Sequence, residues 1–307
     1  MSSSSPLIVI CGATATGKSD LAIALAQKLG GEIINADSMQ VYQGMDIGTA
    51  KIPLEERGGI PHHLLDIYPV NQDMTVARYQ ELARAKVDQL SADGNPIIVV
   101  GGTGLYIKSI LDDLNFPDTD PDIRQKITDE AEAIGNEALH AKLAALDPVA
   151  ALAIPFENVR RVIRALEVIE ITGQPYTTNL PREGSTRYPD AIQIGLAMDR
   201  EDLGERINKR VDRMWELGFV DEVEELINQG LLEAKTAQAA IGYAQIIAMK
   251  HGVMSEEEAR EDTKRATRQY VRRQETWFSR DARITWLSAH ASTPMRLESA
   301  LATIIQR

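Results

Sequence analysis

Three features of the 307-residue sequence predict an α/β fold, a mostly parallel sheet flanked by helices with a helical insertion. A glycine-rich loop joins an apolar run to a helical pattern near the N-terminus. Short apolar runs then alternate with helical stretches, the arrangement that builds parallel sheets. Between Asn115 and Pro189 the strand signal disappears and only helical spacing remains.

The elements follow in chain order. Leu7-Ile8-Val9-Ile10 reads as a buried strand, and Ser19-Asp20-Leu21-Ala22-Ile23-Ala24-Leu25 reads as the start of a helix. Between them Gly12-Ala13-Thr14-Ala15-Thr16-Gly17-Lys18-Ser19 fits G-x-x-x-x-G-K-[ST] with nothing missing. Strand, glycine turn and helix start are the context this phosphate loop needs, so the core is predicted to be P-loop NTPase-like. Loop amides and the free N–H groups of the helix start converge on anionic oxygens; Lys18 adds a mobile charge, and the Ser19 hydroxyl can hold Mg²⁺. Further strands are expected at Glu32–Asn35, Ile97–Val100, Ile192–Ala197 and Ile284–Leu287. The run Pro96 to Val100 is apolar throughout, which places it centrally, covered on both faces.

The insertion is predicted at residues 116–189, bordered by Pro117-Asp118 and by Pro181 to Pro189, within a core of residues 1–115 and 190–307. In it Val159, Val162, Ile163, Leu166 and Ile169 form one apolar stripe, with Arg160, Arg164 and Glu167 on another face, and Gly173 followed by Pro175 ends the helix. A long amphipathic stretch from Leu203 to Ile227 is expected to run until Gly230 stops it.

Composition narrows the setting. A net charge of −12 argues against indiscriminate binding to nucleic acid. Basic groups concentrate at Arg160, Arg161 and Arg164, and from Lys264 to Arg283, which suits a defined anionic ligand or, equally, solvated helix faces. No run is long enough to span a membrane, and Met1 to Pro6 reads as a frayed tail with no signal sequence. The one cysteine, Cys11, rules out an internal disulfide framework and predicts a buried structural thiol and a cytoplasmic home. His62 and His63 are adjacent, lack zinc-ligand spacing and are expected to be structural.

Three segments fall where ligands bind, at the carboxyl ends of strands. Asp37, in Asn35-Ala36-Asp37-Ser38-Met39-Gln40, is either a turn-capping residue or a general base facing the phosphate loop. Gly101-Gly102-Thr103-Gly104 follows the central strand where a nucleotide-hydrolysing switch carries an acid, which weakens an ATPase reading. Its glycines permit close approach to a substrate, and Thr103 offers a hydroxyl and a helix cap; a plain tight turn is the other account. Arg268 and Arg272, four apart on a helix, could clamp a departing diphosphate or form a solvated face.

Taken with Asp37-Ser38-Met39-Gln40-Val41-Tyr42, Gly44 to Lys51, Pro61-His62-His63-Leu64-Leu65-Asp66, Gly101 to Tyr106, Arg160 to Val168 and Arg268 to Trp277, the chain resembles the tRNA dimethylallyltransferases from end to end. The resemblance implies prenyl transfer from dimethylallyl diphosphate to the exocyclic amine of the adenosine 3′ of the anticodon, in tRNAs reading codons that begin with U. It implies a diphosphate held by Gly12 to Ser19 with Mg²⁺, Asp37 as base and Thr103 as a positioning group. It also implies that Asp37, Ser38, Met39, Gln40, Thr103, Arg160, Arg161, Val162, Ile163 and Arg164 meet the tRNA, the insertion gripping the anticodon stem. Two departures from the family pattern stand out: Pro155-Phe156-Glu157-Asn158 ahead of the arginine helix, and Ala239-Ala240 ahead of Ile241-Gly242-Tyr243. A zinc finger of the kind eukaryotic relatives add cannot be built with one cysteine, so the chain resembles the bacterial form. A monomer is expected. The rivals are a prenyltransferase acting on free AMP or ADP, a small-molecule kinase on the same loop, and a GTP-binding switch, which would need a guanine motif that Asn208 to Asp212 does not spell.

Overall fold

The computed structural model describes residues 6–179 and 185–306. Of the expected frayed tail, Met1 to Ser5, and of the Pro181-to-Pro189 border, the part before Ser185, lie outside the described residues. The described residues divide into two units, one made of 6–111 and 188–306 and the other of 112–179 and 185–187.

In the first unit β1 (Leu7–Gly12) runs through the loop into α1 (Lys18–Leu29), followed by β2 (Glu32–Asn35) and the two-residue β3 (His62–His63). Then come α2 (Val76–Ala92), β4 (Ile97–Val100) and α3 (Gly104–Leu111). The sheet order is β3-β2-β4-β1, continued by two later strands, with every pairing parallel. Ile97–Val100 is interior, between β2 and β1, as its unbroken apolar run requires. Two buried clusters cover the faces of the sheet, one containing Val9, Ile34 and Val99 and the other Ile8, Ile10, Ile33 and Ile98, the alternation expected of strands buried on both sides.

The second unit is a small helical bundle with its own core of Ile127, Leu139, Leu143, Val162 and Leu166. Its helices are α4 (Pro121–Ile134), α5 (Asn136–Leu146), α6 (Pro148–Ala153) and α7 (Val159–Thr172). Asp120 and Asp147 cap α4 and α6 through their side chains, each with proline at the first helical position, and Gly173 ends α7 with φ +65°. The boundary falls at Asp112 instead of residue 116 because Asp112 and Thr186 bridge antiparallel, and the Ser185 hydroxyl donates to Asp113 at 2.5 Å.

The chain returns as β5 (Ile192–Ala197), which pairs with β1. The expected stretch Leu203–Ile227 is two helices, α8 (Arg200–Glu216) and α9 (Phe219–Asn228). Gly218, at φ +93°, takes a left-handed conformation that breaks the helix and sets the Phe219 ring edge-on to Trp215 at 5.4 Å. After α10 (Tyr243–Lys250) comes α11 (Glu256–Phe278), started by a capping box between Ser255 and Glu258. Edge strand β6 (Ile284–Ser288) and α12 (Thr293–Ile305) complete the unit. Among the described residues no helix is long and apolar enough to cross a membrane.

Candidate functional site

The loop between β1 and α1 frames a cavity of about 140 Å³, and a second cavity of about 260 Å³ adjoins it, Thr14, Asp37, Thr49, Ala50, Arg210 and Tyr270 contributing to the walls of both. The first is bounded by Thr14, Ala15, Gly17, Lys18 and Ser19; the second has the more apolar wall, including Met39, Ile207, Val211 and Met214. Of the phosphate loop, Gly12, Ala13 and Thr16 lie behind this surface, the buried Thr16 hydroxyl donating to the Ala13 carbonyl at 2.9 Å.

Lys18 donates to the Ala13 carbonyl at 2.6 Å. Burial, reinforced by the neighbouring Arg210 guanidinium and opposed by Asp37, pushes its ammonium down to about 8. Arg210, from α8, donates to the Thr14 hydroxyl at 3.2 Å, so two cations converge on the loop. Gln274, buried on α11, accepts from the Thr14 amide at 3.0 Å and donates to the Gly102 carbonyl at 2.9 Å, tying the loop to the turn after β4.

Asp37 is set by a buried neighbour. Asn35 accepts from the Asp37 amide and donates to the Asp37 and Leu64 carbonyls, each at 3.1 Å, while its own carbonyl takes the Tyr79 hydroxyl at 2.8 Å. Asp37 Oδ1 then accepts from the Met39 and Gln40 amides at 2.9 and 3.4 Å, and among the described residues Oδ2 has no hydrogen-bond partner. One carboxylate oxygen thus caps the turn, as the first reading expects, and the other is left unengaged by the described residues. Ser38 and Met39 line the larger cavity and Gln40 the smaller.

Thr103 does not line either cavity. Its hydroxyl accepts from the Ser38 amide at 3.1 Å and approaches the Ser38 hydroxyl at 3.3 Å, so it fixes the Asp37 turn instead of capping α3 with its side chain. Nor is the space beside the glycines left for a substrate alone. A Cβ on Gly101 would stand 2.1 Å from the Ala36 carbonyl oxygen, and one on Gly102 2.3 Å from Gln274 Nε2.

Arg268 and Arg272, expected as a clamp, line neither of these two cavities: Arg268 donates to Asn208 Oδ1 at 2.6 Å and Arg272 is exposed. At about 100° per residue, each lies roughly 200° around α11 from Tyr270. The face that meets the cavities carries Thr263, Thr267, Tyr270 and Gln274, with Arg273 beside it. Burial, with Asp37 nearby, pushes the Tyr270 phenol up to about 12, so it is a neutral donor at neutral pH. Arg210, Tyr270, Arg273 and Gln274 were missed as site residues. The polar stripe at helical spacing through Thr263, Thr267, Tyr270 and Gln274 is the signal that could have found Tyr270 and Gln274.

The block after Asp37 is held by two charges. Buried Lys51 donates to the Tyr42 carbonyl at 3.0 Å and pairs with Asp46 at 2.6 Å and with Asp66. Glu222, on α9, accepts the consecutive amides of Asp46, Ile47 and Gly48 at 3.1, 2.6 and 3.2 Å, and the Tyr243 hydroxyl at 2.6 Å. Gly48 to Ala50 are thereby fixed as cavity wall. His62 and His63 form β3, with His62 Nδ1 2.8 Å from the Ile60 carbonyl and His63 Nε2 2.6 Å from Glu32. Of the second departure, Ala239 and Ala240 line the larger cavity, whereas Gln238 donates to the Leu232 and Ala234 carbonyls.

In the helical unit Arg160 and Arg161 are exposed on α7. Val162 and Ile163 are packed into that unit's core, so their side chains cannot meet an RNA surface. Arg164 turns inward, donating to Glu167 at 2.9 Å and to the Pro117 carbonyl at 2.7 Å. Glu167 is fully buried and also receives Arg124 and the Asp120 amide, an ion cluster that joins α4 to α7.

One protein oxygen suits a hard cation at the loop: Ser19, whose hydroxyl no described side chain engages, lines the same cavity as Asp37. One protein hydroxyl with substrate phosphates and waters is the donor set Mg²⁺ accepts.

Residues 40–281 match the family model described as IPP transferase. A protein of Streptomyces avermitilis named tRNA dimethylallyltransferase is 53% identical over 310 residues, covering 100% of this chain and 99% of its own. The crystal structure of the full-length tRNA isopentenylpyrophosphate transferase from Bacillus halodurans is 39% identical, covers 98% of this chain and 97% of its own, and superposes with a TM-score of 0.71. A eukaryotic dimethylallyltransferase acting on tRNA is 30% identical, covers 93% of this chain and 74% of its own, and reaches 0.78.

Proposed function

Because the chain belongs to the tRNA dimethylallyltransferase family, we propose that it transfers a dimethylallyl group from dimethylallyl diphosphate to a tRNA. The acceptor is the exocyclic amine of the adenosine 3′ of the anticodon, in tRNAs reading U-initial codons, and diphosphate is released. The observation that carries this reading is the placement of Asp37 on the wall shared by a cationic phosphate cavity and a more apolar one. A kinase on the same loop would also need a second cavity for its acceptor, so it is the apolar wall of Met39, Ile207, Val211 and Met214 that favours a prenyl donor.

The chemistry follows from that placement. Lys18, Arg210 and the loop amides hold the diphosphate and offset the charge that grows as its C–O bond breaks. Ser19 would hold Mg²⁺, which supplies further charge neutralisation when bound. As the C–N bond forms, Asp37 Oδ2 takes the amine proton, while Oδ1 keeps the turn in place. Thr103 positions the carboxylate through Ser38. An aromatic amine is a weak nucleophile, so orientation in a shielded cavity carries much of the rate. The adenine must leave its stack to enter, which costs a few kcal/mol and is easiest in an anticodon loop.

Arg160 and Arg161 supply exposed charge for the phosphates of the anticodon stem, a contact that a prenyltransferase acting on AMP does not require. A tRNA substrate supports a cytoplasmic location, and we take the chain to act as a monomer. The test is incubation with labelled dimethylallyl diphosphate, Mg²⁺ and unmodified tRNA, beside AMP and a stem-loop lacking the target adenosine. Label on the tRNA alone is expected; label on AMP, or none, overturns the reading.

A further inference from the structure

We infer that Arg296, on the C-terminal helix α12, is a positioning residue that pre-sets the phosphate loop for its anion. The residue is 7% exposed, and its side chain reaches residues 280 and 279 positions away in the chain. Nη1 donates to the carbonyls of Thr16 and Gly17, both at 3.1 Å, and Nη2 to the Thr293 hydroxyl at 2.8 Å.

Peptide planarity turns this contact into function. In a trans peptide the C=O of one residue and the N–H of the next point in opposite directions. Fixing the Thr16 and Gly17 carbonyls on Arg296 therefore directs the N–H groups of Gly17 and Lys18 away from Arg296. Gly17 and Lys18 line the phosphate cavity and Arg296 does not, so those amides face the place an anion would occupy. Gly17 is matched to the arrangement: it sits at φ +82°, and a Cβ there would stand 2.5 Å from Arg296 Nη1. Charge-assisted bonds to two successive carbonyls restrict the loop before any ligand arrives, and a preorganised donor set binds more tightly than one that must be ordered. Ala300, Leu297 and Leu301 pack α12 into the cluster that also holds α1 residues Leu21 and Leu25, which keeps the guanidinium in register with the loop.

The inference rests on the diphosphate reading of the loop, and its test separates the two. Calorimetric titration with inorganic diphosphate and Mg²⁺ is carried out on the wild type, Arg296→Met, Arg296→Lys and Leu301→Ala, well below each melting temperature. Leu301→Ala loosens the packing of α12 without touching the polar contact. Arg296→Met is expected to weaken diphosphate binding on the order of ten- to a hundredfold. Arg296→Lys, which keeps the charge, is expected to recover part of the loss, and Leu301→Ala to bind as the wild type despite a lower melting temperature. In steady state KM for dimethylallyl diphosphate rises and KM for tRNA does not. Undiminished binding by Arg296→Met, or an equal loss in Leu301→Ala, overturns the inference. A wild type that does not bind diphosphate overturns the reading of the loop, and the inference with it. Should Arg296→Met not fold, the comparison of Arg296→Lys with Leu301→Ala decides.

Discussion

Replacing Asp37 separates the two jobs its carboxylate holds. Oδ1 accepts from the Met39 and Gln40 amides, and an asparagine keeps an oxygen there, so Asp37→Asn retains the turn and removes only the basic oxygen. Asp37→Ala removes both, and leaving those amides unpaired adds roughly 1–3 kcal/mol of local destabilisation. A lost general base lowers the chemical step by about 10²–10⁴-fold, or roughly 2.7–5.5 kcal/mol of barrier. The assay is single-turnover transfer with tRNA and dimethylallyl diphosphate both saturating, so that weakened binding does not enter the rate. Asp37→Asn is expected to show the full loss with tRNA affinity unchanged; Asp37→Ala is expected to add a loss in affinity through the loosened Ser38–Gln40 segment. Single-turnover rates for Asp37→Asn within about tenfold of wild type would refute the assignment of Oδ2 as the base.

Arg160→Ala with Arg161→Ala is expected to lower the slope of log affinity for tRNA against log salt by about 1.5, and an unchanged slope would place these residues away from phosphates. Arg164→Ala is expected to act on folding instead: it strips one partner from buried Glu167, and a lowered melting transition of the helical unit, followed by circular dichroism, is the readout. Cys11 is buried and its thiol is pushed up to about 12 by that burial, so iodoacetamide at pH 8 should label the native protein far more slowly than the denatured one. Between the ordinary value of 9 and about 12 the native state holds this proton and the unfolded chain loses it, so the thiol's contribution to stability falls as pH rises through that window.

Much of the architecture was legible because it is written in short-range patterns. Near-continuous apolar runs gave β1 and β4, as strands covered on both faces require, while β2, β5 and β6 showed as apolar residues set among the polar Glu32, Asn35, Gln193 and Thr285. The two-residue β3 escaped because it pairs with β2 only at His62 and His63, beside the Ile33 amide's bond to the Pro61 carbonyl, and carries no hydrophobic pattern of its own. The phosphate loop was legible for a different reason: its backbone conformation demands glycine and its chemistry demands lysine and serine at set intervals, whatever surrounds them.

Facing and partnership were decided only in three dimensions. Whether Arg268 and Arg272 or Tyr270 and Gln274 look into the cavity depends on how α11 rotates against its neighbours, which one helix's sequence leaves open. Arg164 reads as a surface charge until the buried Glu167 carboxylate and the Pro117 carbonyl are brought to it. Arg210 and Arg296 reach the loop from about 200 and 280 positions away, and such contacts leave no periodic trace in the chain. The sequence by itself determined the parallel sheet, the helical insertion and the phosphate loop, because each follows from local spacing and backbone sterics. The tertiary structure decided which cations meet the loop and which carboxylate oxygen stays available, because these depend on long-range packing and on where each buried polar group finds its partner.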